Sequence, residues 1–182
     1  MTKHLEQATL GGGCFWCTEA VFNHIRGVHF CESGYSGNEH ADPEPTYKKV
    51  CTGRSGHTEV VRLEFNPEEI SYRKILAIFF AIHDPTTVNQ QGNDIGPQYR
   101  SVIFFHNADQ EKVAHEFIND LTHRKIFKNK VVTTVEPFKN YYKAEGYHQR
   151  YFENNPMQPY CAYVIAPKIE KAEDLFSDLF KK

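Results

Sequence analysis

HTEVVRLEF, residues 57–65, alternates in side-chain character as a half-buried β-strand does, and its surroundings decide the fold. A second strand pattern at residues 28–34 precedes it, with no helix between the two. Helix patterns flank this pair of strands at residues 14–25 and 71–82. Two outer strand patterns complete the set, at residues 6–10 and 101–106. The resulting order, β-α-β-β-α-β, is the split βαβ arrangement of ferredoxin-like folds and predicts the α+β class.

Further elements follow this core. Apolar periodicity predicts a helix at residues 108–123 and a strand at 131–136. The C-terminal part is predicted to add a strand at residues 160–165 and an amphipathic helix at 169–180. The 182 residues contain no repeat and no linker, so we expect a single domain over residues 1–182.

Charge and hydropathy exclude several classes of function. The 21 Lys and Arg against 23 Asp and Glu leave a net charge of −2, which gives no reason to expect nucleic acid or a membrane surface as a partner. The longest apolar run, residues 75–82, is far shorter than the ~20 residues that span a bilayer. Residues 1–7 are polar and lack the apolar centre of a signal peptide, so we expect a cytoplasmic protein. The five cysteines are then free thiols for metal binding, redox chemistry or packing.

The sharpest local feature is GGGCFWCTEAVF, residues 11–22. Three glycines allow a tight turn out of a strand, and Cys14 then falls at the first turn of a helix. The free N–H groups and the dipole at that end favour an anion, which predicts a stabilised thiolate. Phe15 and Trp16 beside the sulfur would form an aromatic wall suited to a methyl or thioether group. The alternative is a buried cysteine that packs as a small apolar residue.

Cys17 has two interpretations. It could form a C-x-x-C redox pair with Cys14, or it could pack in the core, and the apolar residues that follow favour packing. A zinc site is less supported, because Cys31, Cys51 and Cys161 are scattered singly. We therefore expect no metal.

Other polar residues are ambiguous when taken singly. Glu59 lies on the strand at residues 57–65, where burial would raise its pKa and make it a proton donor, although spacing alone favours an exposed position. Tyr47 and Tyr99 are two of ten tyrosines. Asp94 would ordinarily form a turn, but it lies in the unpatterned stretch 83–100, and loops of this length are usually functional.

Together these pieces resemble one family. GCFWC at residues 13–17 resembles the active-site signature of the A-type peptide methionine sulfoxide reductases. Further matching motifs follow in the family's order: GYSG (34–37), PTYKKVCTG (45–53), GHTEVV (56–61), HDPTT (83–87), QGNDIGPQYRS (91–101) and AEGYHQRYFENNP (144–156). The resemblance covers residues 8–161. It implies a two-layer α/β sandwich around a ferredoxin-like core, and an enzyme that reduces methionine-(S)-sulfoxide, free or in proteins, to methionine.

The resemblance also implies roles in the reaction. Cys14 would be the nucleophile and Glu59 the acid that protonates the sulfoxide oxygen. Tyr47 and Tyr99 would hydrogen-bond that oxygen, and Asp94 would help to organise the site. The acid is needed because a sulfoxide oxygen leaves poorly unless it is protonated.

Substrate binding and recycling follow from the same resemblance. Phe15 and Trp16 would hold the substrate's methyl group, with His148 near this pocket. Attack leaves Cys14 as a sulfenic acid, which a second thiol converts to a disulfide that thioredoxin reduces. No bound cofactor is implied, and we expect a monomer that repairs oxidised proteins, peptides or free methionine sulfoxide.

The C-terminal segment departs from the family. Many members carry a flexible, glycine-rich tail with recycling cysteines, whereas QPYCAYVIAPKIEK has the pattern of a strand followed by a helix. Cys161 lies in a matching context and is our candidate resolving cysteine, although a rigid strand would hinder its approach to Cys14. Cys17, Cys51 and an external thiol are the alternatives.

Two other classes of function remain. A cysteine hydrolase would pair Cys14 with His148. A metal or redox-sensor module would use Cys14 and Cys17. The hydrolase gives no role to Glu59, Tyr47, Tyr99 or the aromatic pair Phe15 and Trp16. The metal or redox-sensor module explains neither the long loop nor the distributed motifs.

Overall fold

The computed structural model describes residues 4–182, so residues 1–3 of the polar N-terminal stretch lie outside the described residues. The strands are β1 (Glu6–Gly12), β2 (Val28–Gly37), β3 (His57–Phe65), β4 (Gln90–Gln91), β5 (Asp94–Ile95), β6 (Ser101–Phe105), β7 (Thr134–Pro137) and β8 (Tyr142–Lys143). The helices are α1 (Phe15–Asn23), α2 (Tyr47–Cys51), α3 (Tyr72–Ile82), α4 (Ala108–His123), α5 (Tyr151–Asn154) and α6 (Ala166–Leu175). None of the helices in this described part is long and apolar enough to cross a membrane.

Strand β3 lies inside a six-stranded sheet with the order β7-β6-β1-β3-β2-β8. It pairs antiparallel with β1 on one side and β2 on the other, and β6 pairs antiparallel with β1. This is the strand order of a ferredoxin-like core, so the predicted α+β class is confirmed. Two edge strands extend the core: β7 runs parallel to β6, and β8 runs antiparallel to β2.

The helices form the second layer over this sheet. Helices α1 and α3 pack on β1, α4 packs on β6, and α6 packs on α1 and α3. The Ser71 hydroxyl accepts a hydrogen bond from the Lys74 N–H and so caps the start of α3. Ile75, Leu76 and Phe79 of α3 are fully buried, as the continuous apolar pattern predicts, and each such side chain contributes roughly 1.5–3 kcal/mol.

A glycine turn carries the chain from β1 into α1. Gly13 has a φ of +95°, a conformation that L-residues with a side chain rarely adopt. A Cβ atom added there would lie 2.6 Å from Cγ of Gln91 in the long loop. Both the positive φ and the close contact with Gln91 therefore require glycine at position 13. The turn places Cys14 as the residue that caps the N-terminus of α1.

The predicted strand at residues 160–165 is wrong. Cys161–Ile165 is a π-helical turn that leads directly into α6. The short run of apolar and aromatic side chains, YCAYVI, suggests a strand, but β7 and β8 already occupy the two edges of the main sheet. Cys161 and Ile165, four residues apart, are both fully buried, which is the spacing of one helical face. The closing helix is correspondingly displaced: α6 ends at Leu175, and a 3₁₀ turn follows at Ser177–Leu179.

The stretch 83–100 is not without structure. Strands β4 and β5 form a small hairpin within it, and a 3₁₀ turn follows at Pro97–Tyr99. Two-residue strands are too short to show a period, which is why the sequence pattern does not predict them. The hairpin holds Gln91 against the Gly13 turn, so this loop packs beside the thiol.

Candidate active site

Cys14 lies where the end of β1, the start of α1 and the middle of β3 meet. Its side chain is buried, with 8% of the residue exposed. The next N–H group along the chain, that of Phe15, donates a hydrogen bond of 3.1 Å to Oε2 of Glu59 on β3. One hydrogen bond from a backbone N–H group therefore holds a carboxyl group beside the cysteine at the helix N-terminus.

Glu59 is buried, contrary to the exposed position that its spacing favours, because both faces of β3 are covered at this point. Burial raises the pKa of its carboxyl group to about 8, against the lowering effect of the Phe15 N–H. The negative charges of Asp94 and Cys17 raise it further. Glu59 is therefore largely protonated at neutral pH.

The two thiols of the C-x-x-C pair are in contact. Burial raises the pKa of the Cys14 thiol well above its usual range, and the neighbouring Cys17 and Glu59 add to the rise. The hydrogen bond from Cys14 lowers the pKa of Cys17 to about 7, against the effect of burial. The helix N-terminus alone predicts a favoured thiolate at Cys14, so burial opposes that expectation. Cys17 both packs in the core and shares a proton with Cys14.

Two tyrosines lie within electrostatic reach of Glu59. Tyr47 is the first residue of α2, and Tyr99 ends the turn Pro97–Tyr99. Burial and then the Glu59 charge raise the pKa of both phenols, so both are neutral donors. The charge of Cys14 also raises the pKa of Tyr99. The structure thus brings the predicted nucleophile, acid and both phenols to one place.

The predicted aromatic wall is held by His148, which is fully buried. The indole N–H of Trp16 donates a hydrogen bond of 3.0 Å to Nδ1 of His148. Burial lowers the pKa of His148, so Nδ1 is available as a neutral acceptor. Phe15 packs 5.0 Å from the same imidazole, centroid to centroid, and Tyr151 stacks on Trp16 at 3.7 Å.

This geometry does not support a cysteine hydrolase. The Nδ1 atom of His148 accepts from Trp16, and its Nε2 atom lies 3.8 Å from a carboxylate oxygen of Glu145. Neither ring nitrogen is directed to the Cys14 sulfur as a general base requires.

Asp94 reaches the thiols through a residue that the sequence did not single out. The Tyr160 hydroxyl donates a hydrogen bond of 2.7 Å to Oδ2 of Asp94 and lies 3.8 Å from the Cys17 sulfur. Its ring also packs edge-on against Trp16, with 6.0 Å between centroids. Its position next to Cys161 was the only available signal among ten tyrosines.

Glu145 is a second side chain that sequence analysis missed. Its Oε1 accepts from the Tyr47 N–H and its Oε2 accepts from the Tyr35 hydroxyl, both at 2.7 Å. Glu145 therefore fixes α2, which carries Tyr47, next to the segment that carries His148. It lies inside the quoted AEGYHQRYFENNP motif, but nothing in the pattern distinguishes it from a surface glutamate.

A cluster of three buried thiols surrounds the reacting position. Cys161 is fully buried and belongs to the same apolar cluster as Cys14 and Cys17. Cys31 lies in the main core, and Cys51 is exposed. Within residues 4–182, all five cysteines are free, and no group of three or more His, Cys, Asp or Glu side chains is arranged to hold a metal ion.

An oxidisable thiol pair beside a protonated carboxyl group, on an α+β scaffold, defines a cysteine-dependent oxidoreductase. The family model described as peptide methionine sulfoxide reductase matches residues 6–179, and the chain belongs to this family. The predicted resemblance is confirmed.

Relatives agree in sequence and fold. The peptide methionine sulfoxide reductase MsrA of Polynucleobacter asymbioticus is 53% identical over 175 residues, 96% of this chain and 91% of that protein. The crystal structure of Mxr1 from Saccharomyces cerevisiae in reduced form superposes with a TM-score of 0.79 at 37% identity, covering 88% of this chain and 91% of that one. Mxr1 in complex with Trx2 gives a TM-score of 0.56 at 26% identity, covering 83% and 87%.

Proposed function

We propose that this enzyme reduces the S epimer of methionine sulfoxide, in proteins and as the free residue, to methionine. The observation that carries the proposal is the protonated, buried Glu59, held by the Phe15 N–H beside Cys14. A thiol with a proton-donating acid beside it is what sulfoxide reduction needs. Family membership gives the reaction class, and these residues supply its steps.

The reaction balances in atoms and electrons. The Cys14 sulfur bonds to the sulfoxide sulfur while Glu59 transfers its proton to the oxygen, and the proton of the Cys14 thiol passes to Glu59. The hydroxyl then moves to the Cys14 sulfur as the S–S bond breaks, so the methionine sulfur gains two electrons and Cys14, now a sulfenic acid, loses two. Tyr47 and Tyr99 orient the S=O dipole, and Asp94 holds the Tyr160 hydroxyl beside the thiols. Phe15 and Trp16 receive the methyl group, with His148 fixing the indole.

Recycling follows from the thiol cluster. Cys161 attacks the Cys14 sulfenic acid, water leaves, and a disulfide forms. Cys17 is hydrogen-bonded to Cys14, but it lies inside the regular helix α1, and both it and Cys161 are buried. Cys161 instead lies on an irregular turn next to Tyr163, which is 82% exposed, so a small opening brings its disulfide to an external reductant. The complex of Mxr1 with Trx2 supports thioredoxin as that reductant.

The cellular role follows from this chemistry. We place the enzyme in the repair of oxidised proteins, peptides and free methionine sulfoxide, as a monomer with a single catalytic domain. Free thiols fit a reducing compartment such as the cytoplasm.

The function predicts stereochemical selectivity. With dithiothreitol as reductant, we expect turnover of acetyl-methionine-(S)-sulfoxide and less than about 1% of that rate with the R epimer, because only one epimer directs its oxygen to Glu59 while its methyl group meets Trp16. Chiral chromatography of the remaining sulfoxide measures both rates. Equal turnover of the two epimers, or turnover of neither, would reject the proposal.

The recycling step predicts a specific disulfide. After one turnover without reductant, we expect peptide mass mapping to find Cys14 joined to Cys161, with Cys31 and Cys51 still free. A Cys51→Ser variant serves as the control and should give the same map, because Cys51 is exposed and outside the cluster. A Cys14–Cys17 disulfide, or a stable sulfenic acid with free Cys161, would contradict the role of Cys161.

A further inference from the structure

A groove of about 540 Å³ runs beside the active site, between the long loop and the start of α6. Its wall from the long loop includes Asp84 and Gln91, and its opposite wall includes Phe127 and Pro167. None of these residues has a role in the reaction proposed above. The groove is therefore a surface feature that the catalytic chemistry leaves unexplained.

The groove is basic, although the whole chain is slightly acidic. Lys128, Lys168 and Lys171 line it, and none of the three makes an ion pair with any residue in the range 4–182. Asp84 is its one acidic lining residue, and Oδ1 of that carboxylate accepts hydrogen bonds from the Thr86 N–H and hydroxyl. His83 adds no charge at neutral pH, because burial lowers its pKa to about 4.

Two contacts join this groove to the reacting thiol. Gln91 packs against Gly13, the residue before Cys14. At the other wall, the charge of Lys168 reaches Cys17 and lowers its pKa. Lys168 and Lys171 follow Cys161 by seven and ten residues, which is about 10–15 Å along a helix. Because Cys161 belongs to the same cluster as Cys14, an extended peptide that starts at the thiols covers a distance of this order in roughly three to five residues.

We propose that this groove binds acidic side chains that flank the oxidised methionine of a protein substrate. The proposal rests on the proposed function and extends it to the choice of substrate. Aspartate or glutamate about three to five residues from the methionine sulfoxide would reach the three lysines. The apolar surfaces of Phe127 and Pro167 would support the peptide backbone between the thiol and these charges. Clients with an acidic tract next to the oxidised residue are then preferred.

The test uses peptides with a single methionine-(S)-sulfoxide and dithiothreitol as reductant. The positions three to five residues from the methionine sulfoxide carry Glu, Ser or Lys, on either its N-terminal or its C-terminal side. We expect Glu on one side to lower KM and so to raise kcat/KM about five- to tenfold over Ser. Lys at the same positions should lower kcat/KM. Raising the ionic strength from about 0.02 to 0.3 M should remove most of the preference.

A double variant, Lys128→Gln with Lys171→Gln, removes two of the three charges, so it should remove most of the preference and leave the Ser peptide unchanged. Lys168 is kept because its charge reaches Cys17. The matched control is Lys139→Gln with Lys182→Gln, two exposed lysines outside the groove, which should keep the preference. Equal kcat/KM for all peptides, or a preference that survives the groove variant undiminished, would overturn the proposal.

Two further outcomes are distinguishable. If none of the peptides, including the Ser peptide, is reduced, the proposed function is wrong, and with it the groove proposal that rests on it. If the groove variant slows only thioredoxin-supported turnover and keeps the acidic preference with dithiothreitol, the groove belongs to the reductant and the proposal is overturned.

Discussion

Cys14→Ser is expected to abolish sulfoxide reduction, lowering kcat/KM at least about 10³-fold. A serine hydroxyl is far less nucleophilic than the thiol and cannot form the sulfenic acid that stores the oxygen. The fold should persist, because serine is close in size to cysteine and Gly13 still makes the turn. Single-turnover conversion of acetyl-methionine-(S)-sulfoxide, followed by chromatography, measures the loss.

A matched control separates this loss from a general effect of replacing a buried cysteine. Cys31→Ser changes a thiol that is 8% exposed, like Cys14, but lies in the main core. It should lower stability modestly and leave single-turnover rates near those of the unmodified enzyme. Full activity of Cys14→Ser would remove Cys14 from the role of nucleophile and direct attention to Cys17, whose pKa is lowered to about 7.

The core of this fold could be predicted because its pattern is local. The period-2 alternation of β3 and the absence of a long helix pattern between β2 and β3 predict the strand order, and the sheet has that order. The five-residue α2, which the sequence pattern did not predict, lies between these two strands without changing it. The Cys14 turn could also be predicted, because glycines before a helix allow the positive-φ turn that Gly13 makes and other residues rarely adopt.

The tail could not be predicted in the same way. Residues 160–165 form a short apolar run that fits a strand or a buried helix equally well. Whether a strand forms depends on a free sheet edge, and β7 and β8 occupy both edges of the main sheet. The same misjudgement placed Cys161 on a rigid strand, when it lies on a π-helical turn inside the thiol cluster. Tertiary context, which a single sequence does not contain, decided this element.

Glu59 shows the same limit in chemical terms. Its alternation on β3 gives a face but not the depth of burial, and depth determines its pKa. That depth arises from elements distant in sequence, including the Cys14 turn and the loop that carries Asp94. A residue that spacing assigns to the surface is therefore the acid on which the proposed chemistry depends.

Glu59→Gln is expected to slow the sulfoxide step by about 10²–10³-fold and to change its pH dependence. Glutamine keeps an oxygen that can accept from the Phe15 N–H but has no proton to transfer. Burial also keeps the Cys14 pKa high, so the thiolate fraction rises with pH in both proteins. The Glu59 carboxyl loses its proton near pH 8 only in the unmodified enzyme, so the ratio of its single-turnover rate to that of the variant should fall about tenfold per pH unit above that value. Rapid-quench measurements between pH 6 and 10, about one unit apart, resolve the two profiles.

Stability separates this effect from misfolding. The unfolded Glu59 carboxyl loses its proton near a pKa of about 4.3, whereas the folded one keeps it to about 8, so stability falls as pH rises between these values. Removing the charge should therefore make Glu59→Gln more stable than the unmodified enzyme at pH 8, by about 1–3 kcal/mol in the free energy of unfolding. Glu64→Gln, a half-buried change on the same strand, should leave the rate and its pH profile unaltered. If the ratio of the two rates stayed constant above pH 8, the acid would be another group, and the neutral phenols of Tyr47 and Tyr99 would be the next to replace.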